Sequence, residues 1–304
     1  MEKIYLILAH NAPVHLERLI HRLRDGASFF IVHIDAKAEF QQFKFLKNLP
    51  HVQCVTEREN VLWADISGVS ATLKCIEIAH SNHKQGTVIL LSGADYLVKS
   101  NEQIDRYLSR NAGKVFMDTH LLQSWKEGES RERNYKVNLS ENRGDSVRLP
   151  QGLSRLLLSL TLRGKIGLLD ALRIATIKRK LHISFCAGSQ WWAMDIARLK
   201  EMMAYIDENF VALMNHYRHS FCPDEAFFQT VAMHLWGQSG DVILPSLTYH
   251  RWAKPGNPSP IVWSDSAHLE ELRSLPDRTL FARKFGENSR DLLDALDALH
   301  ATGD

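Results

Sequence analysis

No uninterrupted apolar run in this sequence reaches the roughly 18 to 20 residues that a membrane-spanning helix needs. The start, Met1-Glu2-Lys3-Ile4-Tyr5-Leu6-Ile7-Leu8-Ala9-His10, has a short apolar run closed by His10 and Asn11. A signal peptide has a longer apolar region and a small-residue cleavage site. The run reads as a buried first strand, and the chain is expected to stay in the cytoplasm. Cysteine is scarce. Cys54, Cys75, Cys186 and Cys222 lie far apart with no C-x-x-C pair, which argues against a zinc knuckle or a thiol redox motif. Each is expected to be a small buried hydrophobe. An excess of one charge is missing too: 37 Lys and Arg stand against 35 Asp and Glu. That balance is too even to argue for a nucleic-acid partner by itself, and none is expected. G-x-x-x-x-G-K-[ST] and G-x-G-x-x-G are absent, against an NTPase or a dinucleotide dehydrogenase. G-x-S-x-G and H-E-x-x-H are absent as well, against a hydrolase elbow or a zinc protease.

What is present is ordinary globular composition, 45% hydrophobic and 24% charged over 304 residues, enough for one large α/β domain or two small ones. Apolar runs at Ile4–Ala9, Phe29–Ile34, Val52–Thr56, Thr87–Ser92 and Val115–Asp118 read as strands. Helical spacing lies between them at Pro13–Arg24, Ser67–Ser81 and Asn101–Arg110, the last with Asn101 as N-cap. This alternation implies parallel β-α-β units with ligands beyond the carboxyl ends of the strands. His10, Asp35 and the Ser92–Asp95 loop then share one rim.

The middle changes character. Gln123–Arg148 is polar without period and reads as a long loop or acceptor-binding insertion. Ser154–Leu181 is apolar and basic, and Gly164 and Gly167 split it into two helices. It is either a surface that touches anionic lipid or an amphipathic pair on the core with solvated basic residues. Later, Phe185–Met194 reads as a strand, Ile196–Tyr205 and Asp224–Leu235 as helices, Val242–Leu244 as a strand and Tyr249–Ser264 as a loop. Leu269–Leu272 and Asp277–Phe285 carry short helical patterns, and 291–304 is a C-terminal tail.

Four stretches carry the chemistry. In His33-Ile34-Asp35-Ala36-Lys37 an acid follows a buried strand, placed either to accept from ribose hydroxyls or a base N–H, or to cap a turn. In Phe221-Cys222-Pro223-Asp224-Glu225-Ala226-Phe227-Phe228 two carboxylates sit at a helix start. They are first-turn stabilisers, or one is a base whose pKa desolvation raises. Gly188-Ser189-Gln190-Trp191-Trp192, with Trp252 and Trp263 later, reads as a sugar-stacking wall or as core filler. Leu280-Phe281-Ala282-Arg283-Lys284-Phe285 brings positive charge to a pocket or forms an exposed basic helix face. His216 and His219 lack a third zinc ligand and read as surface residues.

These stretches occur in one order, together with Trp63-Ala64-Asp65-Ile66-Ser67 and Leu91-Ser92-Gly93-Ala94-Asp95-Tyr96. That order resembles the core-2/I-branching β-1,6-N-acetylglucosaminyltransferase family, which includes the peptide O-xylosyltransferases, from Ile4 to about Phe285. The resemblance implies an α/β, GT-A-type fold in a single domain over 1–304. A Rossmann-like nucleotide half with a mostly parallel sheet (about 1–120) merges with an acceptor-binding half (about 121–290). It implies inverting transfer from a UDP-sugar to a glycan or lipid-linked acceptor, with no metal and no cofactor. By position, Glu225 would be the catalytic base and Asp35 would meet the uridine side of the donor. Lys284 would neutralise the diphosphate, with Leu8, His10 and Arg251 also on the donor side. Asp95, Ser189, Gln190, Trp191 and Trp252 would face the acceptor.

The chain departs from the family pattern at three places. Leu97 replaces a proline, Ala64-Asp65 replaces a Gly-Gly pair, and the second basic residue has only Arg251 and Lys254 as candidates. The missing anchor and disulfide framework of animal members suggest a bacterial-type member, active in surface polysaccharide synthesis and in peripheral contact with the inner membrane surface. UDP-N-acetylglucosamine is the first candidate donor and UDP-xylose the second. A catalytically silent sugar-binding protein of the same fold is the reading from another class, and Glu225 together with Lys284 argues against it.

Overall fold

The computed structural model describes residues 1–121, 128–150, 154–176, 179, 181–253 and 259–301. In chain order its first elements are β1 (Lys3–Ala9), α1 (Pro13–Leu23), β2 (Ser28–Ile34), β3 (Val52–Cys54), α2 (Ile66–Asn82), β4 (Thr87–Ser92), β5 (Asp95–Leu97), α3 (Asn101–Arg110), β6 (Val115–Phe116) and β7 (His120–Leu121). Next come α4 (Gly128–Arg133), β8 (Tyr135–Asn138), β9 (Ser146–Leu149), α5 (Ser154–Leu162), α6 (Leu168–Thr176), β10 (Cys186–Ala187), β11 (Ala193–Asp195) and α7 (Ile196–Tyr217). The last are α8 (Phe227–Trp236), β12 (Ile243–Leu244), β13 (Thr248–His250), α9 (Leu269–Arg273), β14 (Phe281–Arg283) and α10 (Arg290–Ala301).

Seven strands form the main sheet in the order β12-β6-β11-β4-β1-β2-β3. Strands β4, β1, β2 and β3 run parallel, and β11 lies antiparallel between β4 and β6. Parallel strands are covered on both faces, so β1 reads as an unbroken apolar run. Its side chains alternate between two cores. Ile4 and Leu6 pack with residues of α2, α7 and α8, and Tyr5 and Ile7 with residues of α1, α3 and α10. Ala9 pairs with Ile34 and Leu8 with Ser92, so three strands end on one line. The rim expected for His10, Asp35 and the loop after Ser92 is therefore present. Gly93 is needed there, because a Cβ would stand 2.7 Å from that of Ala9.

Several elements differ from the sequence reading. Among the described residues, Gln123–Arg148 holds α4 and the β8–β9 pair instead of a loop. The Asp277–Phe285 pattern becomes strand β14, which fills the place between β13 and β5. The helix expected from Asp224 begins at Phe227, after a 3-10 turn over Pro223–Glu225. Ser100, not Asn101, caps α3, in a reciprocal capping box with Gln103. The expected tail is α10, with Leu292, Leu293 and Leu296 buried and Asp297 accepting from Tyr96 at 2.8 Å. His216 and His219 are buried, not on the surface, and burial and Arg179 push His216 down to about 3. The division of Ser154–Leu181 into two helices is as expected.

Candidate active site

Two adjoining cavities, about 480 and 770 Å³, open along the rim. Both are lined by Leu8, Ala9, His10, Ser92, Arg283 and Lys284, so the two basic residues stand where one passes into the other. Asn11 and Ala12, at the start of α1, and Phe285 to Asn288 line only the smaller. The larger adds Asp35, Trp63, Arg143, the Gly188–Trp191 stretch, Asp224, Glu225 and Trp252.

On the β1 and β2 side, Asp35 is nearly buried, and its Oδ1 accepts from the backbone N–H of Lys37 at 2.8 Å. The Lys37 ammonium is 3.9 Å from the other oxygen. Burial lowers the His10 pKa, helped by Lys284 and Lys37 and opposed by Asp35, so its imidazole is neutral at pH 7.

Pairing of β14 with β5 sets Arg283 opposite Asp95. The Arg283 Nε lies 3.2 Å from the Asp95 carboxylate, and its guanidinium stacks 4.1 Å from the centre of the Trp191 ring. Lys284 then projects at the cavity junction without a hydrogen-bonding partner for its ammonium among the described residues. Burial and the nearby Arg283 and Arg143 bring its pKa down to about 8.

The expectation for Asp95 is corrected by this pairing. It is fully buried beneath the cavities, its oxygens taken by Ser92 and Arg283, and it holds Arg283 in place instead of facing an acceptor. Arg251 is likewise withdrawn. It bonds Glu271 and His268, stacks on Trp263 and lines neither cavity. Its alternative, Lys254, lies outside the described residues. The second cation at the junction is Arg283.

The two adjacent acids part company. Glu225 points into the larger cavity, where Arg131 of α4 donates to its Oε2 at 2.6 Å. Asp224 is the carboxyl that burial raises, to about 7, with the Glu225 charge adding to the effect. One of its oxygens has no hydrogen-bonding partner among the described residues. The raised pKa at this turn belongs to Asp224, which packs beside Gly68 at the wall of the larger cavity. Opposite, Gly188 N–H donates to the Glu225 carbonyl at 2.8 Å. A Cβ at Gly188 would lie 1.7 Å from the Asp118 carbonyl, so only glycine allows that approach. Ser189, Gln190 and Trp191 follow along the cavity wall. The Trp pair divides: Trp191 lines the cavity and Trp192 packs on Phe228 in the core. Trp252 is half exposed at the edge, whereas Trp263 is fully buried.

Sequence reading missed Arg131, which lies in the stretch expected to be a loop, and assigned no role of its own to Arg283, whose stretch was weighed both as positive charge for a pocket and as a basic helix face. Their signal was the aromatic company that guanidinium groups stack on: Phe221 for Arg131 and Trp191 for Arg283.

The sequence model of the Core-2/I-Branching enzyme matches residues 4–275. The chain belongs to that family. The match stops short of Arg283 and Lys284, which the earlier resemblance had included. Xylosyltransferase oxt of Drosophila melanogaster is 25% identical over 236 residues, 74% of this chain and 23% of that protein. The human beta-1,3-galactosyl-O-glycosyl-glycoprotein beta-1,6-N-acetylglucosaminyltransferase is 26% identical over 139 residues, 44% of this chain and 32% of its own. The chain thus spans about a quarter to a third of the relatives' lengths. A solved Bacillus anthracis structure described as a glucose-1-phosphate thymidylyltransferase shares 10% identity and a TM-score of 0.34, over 95% of this chain and 99% of its own. That likeness is too distant to argue from. The chain's own sheet supplies the α/β architecture, large and mostly parallel, that the GT-A expectation called for. No described helix is long and apolar enough to cross a membrane.

Proposed function

We propose that the protein is an inverting, metal-independent glycosyltransferase that moves a sugar, N-acetylglucosamine first among candidates, from a UDP-sugar to a hydroxyl of a glycan or glycolipid. The observation that carries this is the placing of Lys284 and Arg283 at the junction of two cavities, one of which holds the Glu225 carboxylate. Inverting transfer needs a base on one side of the sugar carbon and positive charge on the other. In this reading Glu225 takes the acceptor's hydroxyl proton as its oxygen bonds to C1. The bond from C1 to the diphosphate breaks, and the electron pair leaves on a phosphate oxygen beside Lys284 and Arg283. Leu8, His10 and Asp35 hold the donor; Ser189, Gln190, Trp191 and Trp252 form the acceptor wall. The four unpaired cysteines fit a reducing compartment, and we place the reaction in surface polysaccharide synthesis on the cytoplasmic side.

A second donor, UDP-xylose, is favoured by one observation: the relative aligned over 74% of the chain is named a xylosyltransferase. Thermal melting against a panel of UDP-sugars tests both, since a ligand of the folded state raises Tm. UDP release with an added acceptor follows for the sugar that binds. We expect UDP-N-acetylglucosamine to give the largest shift. A larger shift with UDP-xylose favours the second reading, and no shift with any UDP-sugar removes the proposed function.

A further inference from the structure

Helices α5 and α6 bury one side and leave the other uncovered. Leu157, Leu160 and Ile174 turn inward and form a small core with Tyr135, Val137 and Leu149 of the β8–β9 hairpin. On the outside stand Leu156, Leu158, Leu162, Leu168, Leu169 and Leu172, exposed by between 43% and 82%. A helix packed on a domain normally shows water a polar face. Exposed leucines scattered singly need no explanation, but six on two adjacent helices do.

Charge selects the occupant. From Ser154 to Leu181 the sequence has seven Lys and Arg, of which Arg179 is buried with its guanidinium turned inward, and a single acid, Asp170. Arg163 and Lys165 are exposed in the turn between the helices, beside Leu162. Asp170 is turned towards His219, at 3.9 Å. An apolar centre with a basic rim suits the boundary between anionic headgroups and acyl chains. A second copy of the chain would bring like charges together across the same leucines. Each helix has nine residues, too few to cross a bilayer, so the pair would lie in its surface. The hairpin beneath connects this face to the cleft, for its turn contributes Glu141 and Arg143 to the larger cavity.

We propose that the outer leucines of α5 and α6, with Arg163 and Lys165, form a docking surface for an anionic lipid bilayer. The docking stands on this face alone and holds whichever sugar the cleft takes.

Co-sedimentation with phosphatidylcholine vesicles, with and without phosphatidylglycerol, tests it. The protein pellets about tenfold more with the anionic vesicles at low salt and is released at high salt. Leu158→Glu with Leu169→Glu lowers that binding about tenfold while Tm is kept, because both side chains stand in water. Arg163→Glu with Lys165→Glu, on the exposed turn, abolishes the preference for anionic vesicles and serves if the leucine variant folds poorly. Three results overturn the proposal: no binding of the wild type to anionic vesicles, equal binding to both kinds, or wild-type binding by both variants. A lipid-free dimer that the leucine variant converts to monomer also overturns it, assigning the face to a second copy.

Discussion

Arg131 and Glu225, 94 residues apart in the chain, meet in a hydrogen-bonded ion pair of 2.6 Å at the wall of the larger cavity. That bond holds the Glu225 side chain in place at the cavity. Glu225→Gln keeps the side chain's shape and removes the base of the proposed mechanism. We expect kcat to fall by about 10² to 10⁴ with Tm and UDP binding nearly unchanged. Turnover close to wild type would remove Glu225 from the mechanism.

In the proposed mechanism Arg131 acts through Glu225, so its loss is felt as misplacement. Arg131→Met should lower kcat roughly tenfold or more and leave the donor KM nearly unchanged. Arg131→Lys, which can still donate to one carboxylate oxygen, should recover part of the loss. If Lys and Met variants turn over equally, Arg131 is there for packing alone.

Lys284 carries its charge below about pH 8 and loses it above. A diphosphate raises that pKa on binding, so donor binding above pH 8 takes up a proton. The donor kcat/KM is therefore expected to fall as pH rises through 8. Lys284→Arg, which stays charged, should move the fall to higher pH, and Lys284→Ala should lose about two orders of magnitude or more. A flat profile from pH 7 to 9.5 for the wild type speaks against this role.

Asp224 should make the fold less stable as pH rises from about 4 to about 7. Its carboxyl holds a proton up to about pH 7 when folded and releases it at ordinary carboxylate values when unfolded. Between those limits the folded state binds more protons, so stability is full below about pH 4 and declines until about pH 7. Asp224→Asn removes that carboxyl's charge and should make the protein more stable than the wild type at pH 8. Equal or lower chemical stability of the variant at pH 8 would show that Asp224 is solvated.

Excess EDTA should leave activity intact. One oxygen of Asp35 is already bonded to the Lys37 backbone, and among the described residues no three His, Cys, Asp or Glu side chains converge. Hard cations are usually held by one or two carboxylates together with the phosphates, and the cations at the junction offer that charge from the chain itself. Activity abolished by EDTA and restored by Mn²⁺ would make Asp35 a metal ligand and displace Lys284 from its role.

The parallel half of the sheet was legible because strands buried on both faces leave long apolar runs, and the residue after each run falls on the binding rim. His10 and Asp35 were found this way. The β8–β9 hairpin was not, since β9 is mostly solvated and its four residues show no apolar run. Strand β14 was misread because Phe281-Ala282-Arg283 is too short to show a period of two, and its neighbours β5 and β13 are distant in sequence. For the same reason Asp95 was read as open to ligand: the arginine that covers it comes from that distant strand. Arg251 was favoured for its charge and place in the chain, but Glu271 competes for it.

The pairing of β14 with β5 also sets the moment at which the protein becomes competent during synthesis. His10, Asp35 and Glu225 have all left the ribosome before Arg283 and Lys284 are made. The edge of β5 waits for its antiparallel partner until the last tenth of the described chain emerges, and α10 then closes over Tyr96 and Arg18 through Asp297. A nascent chain halted before Phe281 would carry Glu225 and the Gly188–Trp191 wall but neither cation of the cavity junction. The junction is completed late in synthesis, by a single three-residue strand.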